Sequence, residues 1–166
     1  MRNLFAIILT VVVSHLAFAQ SDANDKLPVL QYTEVIQGTS NDLGSWGDGY
    51  VYIIELWGTW CAPCIKNMPT LSNIYSKYKS KGLRVVGYSW ENPDNVKKMV
   101  LKMGEKANYI FVNDTKERFL KIVAEQREMV ESFPFSFVVD EKGNLVWSGN
   151  PSAGLESFVD QLFKND

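Results

Sequence analysis

Two cysteines three positions apart, Cys61 and Cys64, are the only cysteines of this 166-residue chain. Disulfides that stabilise a fold close long loops, and a bridge between these two residues closes almost none. Their spacing suits chemistry instead. In the first turn of a helix the two sulfurs can reach each other, and the positive end of the helix favours a thiolate on the first. Because the thiolate is the form that attacks disulfides, the pair predicts dithiol–disulfide exchange.

The motif Trp60-Cys61-Ala62-Pro63-Cys64 assigns a role to each side chain. Cys61, at the exposed start of the helix, is expected to attack the substrate with a thiol pKa below the usual value of about 8.5. Cys64, one turn in and more buried, is expected to have the higher pKa and to resolve the mixed disulfide by attacking Cys61. Pro63 is expected to make the turn rigid. Trp60 either shields the sulfurs from water or packs as an ordinary core aromatic.

The sequence lacks the residues that metal binding, haem attachment or nucleic-acid binding would require. The single histidine, His15, lies in an apolar N-terminal segment, so no Cys/His set of zinc ligands exists, and neither a metal nor a bound cofactor is expected. Ile65 stands where a haem-attachment motif carries histidine. With 17 basic and 19 acidic residues, the chain has a net charge of −2, which argues against a nucleic-acid partner.

The N-terminus has the pattern of a secretory signal peptide. Arg2 supplies the positive charge, Leu4–Val13 is almost wholly apolar, and Ala17-Phe18-Ala19 fits a cleavage site. We expect residues 1–19 to be removed and residues 20–166 to form one domain in a bacterial periplasm. An uncleaved anchor is the alternative, although the apolar run is short for a membrane span and no second span is predicted.

The remaining pattern alternates strands and helices. Val51–Leu56 is apolar and β-branched nearly throughout, as in a strand that is covered on both faces. A helix follows from about Ala62 to Lys79, and Pro69 is expected to kink it. Further strands are predicted at Leu83–Ser89, Tyr109–Val112, Phe135–Val139 and Leu145–Trp147, and further helices from Asn92, over Thr115–Met129 and over Leu155–Phe163. This order predicts a largely parallel sheet with one antiparallel edge and helices on both faces.

Four segments carry a resemblance to a known family. They are Glu55–Cys64 with its Trp-Cys-x-Pro-Cys core, Pro69, Ser132–Asp140 and Lys142–Trp147. From about Val51 to the C-terminus the chain resembles the secreted TlpA/ResA-like thiol–disulfide oxidoreductases, which have the thioredoxin fold. The resemblance implies an α/β fold with a central mixed β-sheet flanked by helices. It also implies an extra strand–helix unit within residues 91–133.

By the same resemblance, Pro134 matches a cis-proline that packs against the active-site disulfide. A cis X-Pro bond leaves backbone groups that a substrate strand can bind, and a trans proline that opens a strand is the alternative. Phe133 and Phe135 stand where the family commonly has a small aliphatic residue and threonine. We therefore expect substrate binding at Phe133 and Pro134, with a preference that differs from that of the relatives.

Glu55 lies six residues before Cys61, inside an otherwise apolar strand. Thioredoxins carry a buried acid at this offset, whereas TlpA/ResA-like proteins often have Asn there, and some place their acid at the position of Asn67. We expect a desolvated carboxyl group with a raised pKa that relays the proton of Cys64. A glutamate pointing to solvent from the end of the sheet is the alternative.

The resemblance implies a periplasmic reductase of protein disulfides, recharged by a membrane electron carrier. Its partners would be disulfide-bonded or dithiol proteins. Peroxiredoxin chemistry is excluded because Ile54 and Gly58 replace the Pro and Thr/Ser of that motif. A disulfide oxidase or isomerase, and a redox-inert binding or chaperone module, are the alternatives.

Overall fold

The computed structural model describes residues 26–127 and 132–164, and the predicted signal peptide lies outside this part of the chain. Six strands form one mixed sheet in the order β1-β4-β3-β2-β5-β6. The strands are β1 (Glu34–Gln37), β2 (Val51–Leu56), β3 (Leu83–Ser89), β4 (Ile110–Asn113), β5 (Phe135–Val139) and β6 (Leu145–Gly149). The helices are α1 (Ala62–Tyr78), α2 (Pro93–Met103), α3 (Arg118–Arg127) and α4 (Leu155–Leu162).

The sheet is parallel at its centre and antiparallel towards both edges. The pairs β2–β3 and β3–β4 are parallel, whereas β1–β4, β2–β5 and β5–β6 are antiparallel. The prediction of one antiparallel edge was therefore incomplete, because β1 was not predicted. This strand is four residues long and half-buried throughout, so it lacks the apolar run that marks the central strands.

Helices cover both faces of the sheet, as predicted. On one face the core joins α1, α2 and α4, and it includes both cysteines. On the other face it includes Phe119 and Val123 of α3. The strand–helix unit expected within residues 91–133 is present as β4 and α3, preceded by α2. None of the helices in the described ranges is long and apolar enough to cross a membrane.

Local sequence explains where the helices begin and end. Helix α1 continues through Pro69, and after a short 3-10 turn the chain reverses at Gly82, whose φ of 97° suits glycine. Helix α3 begins at Arg118, three residues later than predicted, and the backbone N–H of Arg118 donates a hydrogen bond of 2.8 Å to the carboxylate of Asp114.

The sheet register brings three chain segments to one edge. Leu56, the last residue of β2, pairs with Tyr88 of β3 and with Phe135 of β5. Since β3 runs parallel to β2, the residues after β3 lie beside the residues after β2. Since β5 runs antiparallel, it begins where β2 ends, so Pro134 reaches the same edge as the loop that leads to Cys61.

Candidate active site

Cys61 and Cys64 form a disulfide at the N-terminus of α1. Cys61 is the N-cap residue, and its Sγ accepts a hydrogen bond of 3.3 Å from the backbone N–H of Cys64. The same N–H can stabilise a thiolate on Cys61 once the disulfide is reduced. The expectation that Cys61 is exposed was wrong for this oxidised state. It is 3% accessible and Cys64 is 0%, because both belong to the core beneath α1.

A polar contact fixes the loop that precedes Cys61. The carboxylate of Glu91, just beyond β3, accepts hydrogen bonds from the backbone N–H of Thr59 and from its hydroxyl, the latter at 2.9 Å. A Cβ atom on Gly58 would lie 2.6 Å from Nε1 of Trp60 and 3.1 Å from Oε2 of Glu91, so a side chain there would displace the Trp60 ring from its present position. Glu91 was not predicted as a site residue, because a lone acid after a strand belongs to no sequence motif.

Three aromatic side chains, which we call the aromatic platform, lie together at this edge of the sheet. The ring of Trp60 contacts those of Trp90 and Phe133 at centroid distances of 6.5 and 5.7 Å, and Trp90 lies 5.1 Å from Phe133. Trp60 is 59% exposed. Trp60 and Phe133 were predicted as site residues from the sequence, whereas Trp90 was not. It packs on Tyr88 and also completes the platform.

The two prolines of the predicted site lie on separate elements of this edge. Pro63 is exposed in the first turn of α1, where a missing N–H is tolerated because that turn has no intrahelical acceptor for it. Pro134 is buried directly before β5, and the Phe133–Pro134 peptide bond is cis. The structure therefore gathers Trp60, Phe133 and Pro134 at the edge where α1 begins.

Glu55 is 1% exposed and lies on β2, so the alternative of a solvent-facing glutamate is wrong. Burial raises the pKa of its carboxyl group to about 8, because the charged form loses its hydration. Asn67 on α1 opposes this effect. Its Nδ2 lies 3.3 and 3.5 Å from the two carboxylate oxygens and donates to them. The carboxyl group thus titrates near neutral pH within the core that holds the cysteines.

Two polar residues from other elements, Ser136 and Tyr109, lie near Glu55. Ser136 on β5 is its direct register partner, and in such pairs the Cβ atoms are about 4.5–5.5 Å apart. Within the described part of the chain, the Ser136 hydroxyl and Nε1 of Trp57 are buried without hydrogen-bond partners. Tyr109, before β4, is buried, and burial followed by the charge of Glu55 raises the pKa of its hydroxyl well above the usual range. It therefore stays protonated.

A family model described as Redoxin matches residues 22–162. The chain belongs to the Redoxin family. The thiol–disulfide oxidoreductase ResA of Bacillus anthracis is 29% identical over 98 residues, a match that covers 56% of this chain and 50% of that protein. ResA of Oceanobacillus iheyensis is 27% identical over 92 residues, covering 55% and 47%. This Redoxin-family chain thus matches these curated relatives over about half of their length.

Solved structures support the fold of this Redoxin-family member. A thioredoxin-family thiol:disulfide interchange protein from Chlorobium tepidum is 23% identical, with a TM-score of 0.66, and the match covers 85% of this chain and 98% of that one. A thiol:disulfide interchange protein from a Bacteroides species is 24% identical, with a TM-score of 0.60, covering 81% and 90%. The predicted thioredoxin-like fold and the resemblance to TlpA/ResA-like proteins are confirmed.

Proposed function

We propose that this protein is a thiol–disulfide oxidoreductase that reduces disulfides of protein substrates in the periplasm. The observation that carries the proposal is the Cys61–Cys64 pair at the N-terminus of α1, in the core that also buries Glu55. The names of the curated relatives support the reaction class. The N-terminal signal pattern supports the location.

The reaction follows from the positions of the two sulfurs. The Cys61 thiolate attacks a substrate disulfide, so a Cys61–substrate bond forms and the first substrate sulfur leaves as a thiolate. The Glu55 carboxylate accepts the proton of Cys64, and the resulting thiolate attacks the Cys61 sulfur. The second substrate thiolate then leaves and the Cys61–Cys64 disulfide remains. Two electrons have moved from the protein to the substrate, and a membrane electron carrier would return them.

The aromatic platform and Pro134 would hold the substrate during this exchange. Trp60 offers a largely exposed ring beside Cys61, and Phe133 joins that ring to the residue before β5. An extended substrate segment could then pair with the backbone at Pro134 while its apolar side chains lie on the rings. Pro63, exposed in the first turn of α1, would contact the same segment.

Trp60→Ala is expected to weaken the binding of protein substrates without impairing the reactivity of the two cysteines. Truncating an aromatic anchor at an interface removes about 1–2 kcal/mol, so KM for a protein disulfide should rise about fivefold to thirtyfold. The rate with dithiothreitol, which is too small to cover the platform, should stay unchanged. Steady-state kinetics with insulin as the model disulfide measures both values. Trp60→Phe keeps a ring and should retain most of the affinity, and equal losses for both substrates would contradict the docking role.

The reduction potential of the Cys61–Cys64 pair tests the direction of electron flow. A carboxylate near Cys64 disfavours a second negative charge, so it does not stabilise the dithiolate, and the disulfide is not made strongly oxidising. We expect a potential near that of thioredoxin, about −270 mV, and not near that of strong periplasmic oxidases, about −120 mV. Equilibration in glutathione and dithiothreitol buffers, followed by the fluorescence of Trp57 and Trp60, measures it. A value above about −150 mV would favour an oxidase instead.

A further inference from the structure

We propose that Asn67 is a positioning residue for the exchange reaction, because its amide holds the buried Glu55 carboxylate and connects it to a surface cavity in the first turns of α1. This inference rests on the proposed function, since it concerns how Glu55 exchanges the proton that it takes from Cys64. Asn67 is not a catalytic residue, because it touches neither a sulfur nor the substrate. It acts through Glu55 alone.

The contacts of Asn67 carry the proposal. It lies one helical turn after Cys64 on α1, and its Nδ2 donates to both oxygens of a carboxylate that is 1% exposed. Asn67 itself is half-buried, and it lines a cavity of about 330 Å³ together with Pro63, Lys66, Thr70 and Ser152. A single side chain thus contacts the buried acid on one side and solvent-accessible space on the other.

A buried acid that serves as a base needs such a connection. Each turnover leaves a proton on Glu55, and the next turnover requires that proton to leave through an apolar core. An amide cannot be a net acceptor of the proton, but it orients the carboxylate towards the cavity and stabilises the ionised form by a charge-assisted hydrogen bond. Loss of that donor would make the acid harder to ionise, which slows its recovery at neutral pH.

Other elements also face Glu55. Ser136 of β5 is the register partner of Glu55, and Tyr109, before β4, lies close enough for the charge of Glu55 to raise the pKa of its hydroxyl. Lys66 of α1 lines the same cavity as Asn67. Tyr109 lines a second cavity on another side of the molecule, which makes it the competing route. Its hydroxyl stays protonated over the working pH range, so it is a poor acceptor for the proton.

The test replaces Asn67 by Asp and by Leu in the full mature chain. Asn67→Asp keeps the shape of the side chain but replaces the amide donor by another acid. Asn67→Leu removes the hydrogen-bond donor. We expect the pKa of Glu55, followed by carboxyl ¹³C NMR of the oxidised protein, to rise by about half a unit or more in both variants, a threefold change in ionisation. The resolution rate of the glutathione mixed disulfide on Cys61 should shift to higher pH by the same amount.

Two matched variants control the experiment. Asn73→Asp makes the same charge change at an exposed position of the same helix, and it should leave the pKa and the rate profile as they are. Tyr109→Phe tests the competing route and should also leave the profile unchanged. If both Asn67 variants keep the wild-type Glu55 pKa, or if Tyr109→Phe reproduces their shift, the proposal is overturned. A shifted pKa of Glu55 with an unshifted rate profile would also overturn it, because Asn67 would then control Glu55 without affecting the exchange; that outcome contradicts the relay by Glu55 but not the oxidoreductase function.

Discussion

Cys64→Ala protein is expected to accumulate as a one-to-one mixed disulfide with its substrate, whereas Cys61→Ala protein should form none. The physical reason is the difference between the two positions. Cys61 is the N-cap of α1 and lies beside the exposed ring of Trp60, where a substrate can approach. Cys64 is 0% accessible and can react only with a sulfur already held at Cys61. Non-reducing gels and mass spectrometry of the adduct measure the outcome.

The effect on turnover should be close to complete for either cysteine. Without Cys61 the attacking thiolate is gone, and without Cys64 the adduct has no internal thiol to release it. Ala62→Ser, a substitution between the two cysteines that spares both thiols, serves as the control and should turn over. A mixed disulfide formed on Cys64 in the Cys61→Ala variant would reverse the assignment of roles. The adduct of Cys64→Ala would also identify a natural substrate when it is formed in a periplasmic extract.

The redox pair could be predicted from sequence because it is a short motif tied to one location, whereas the cis-proline was expected only from the resemblance to a known family. Cys61 and Cys64 need only a helix that begins after β2, and the apolar run of Val51–Leu56 indicates that strand directly. Residues whose position in the site depends on the packing of distant segments belong to no such motif. Trp90 joins the platform only because β3 ends beside β2, and Glu91 reaches Thr59 for the same reason.

The exposure of Cys61 was mispredicted for a related reason. A helix start is exposed in a single helix, and the pattern along α1 does not contain the neighbours that cover it. Burial came from the sheet edge, where the residues after β2 and those before β5 meet. The edge strand β1 was missed because a short, half-buried strand depends on hydrogen bonds with β4 more than on its own apolar residues.

Glu55→Gln is expected to slow resolution of the mixed disulfide severalfold or more near neutral pH. Gln keeps the size of the side chain and removes the base that accepts the proton of Cys64. In the wild type the rate should rise with pH around the pKa of Glu55, which is about 8. In the variant that inflection should disappear, so that the pH dependence of the rate reflects only the ionisation of the Cys64 thiol. Stopped-flow measurement with the glutathione mixed disulfide on Cys61 gives both profiles.

Stability provides an independent readout of the same carboxyl group. Its folded pKa of about 8 exceeds the ordinary value of 4.5, so the folded state prefers the protonated form. The contribution of this carboxyl group to the stability of the oxidised wild type is therefore fully present below about pH 4.5, and it is lost as pH rises to about 8, by at most about 1.4 kcal/mol per pH unit. Glu55→Gln cannot ionise and should lack this loss. Denaturant unfolding at pH 5 and pH 8 measures the difference between the two proteins.

The two readouts together separate the relay from a structural role. If Glu55→Gln removes the loss of stability and also removes the kinetic inflection, the carboxyl group both titrates in the core and serves the reaction. If the stability difference appears while the rate–pH profile stays as in the wild type, Glu55 is a buried acid without a part in resolution. In that case the Cys64 thiol must lose its proton by another route, and the relay is wrong even though the buried, ionisable carboxyl group is real.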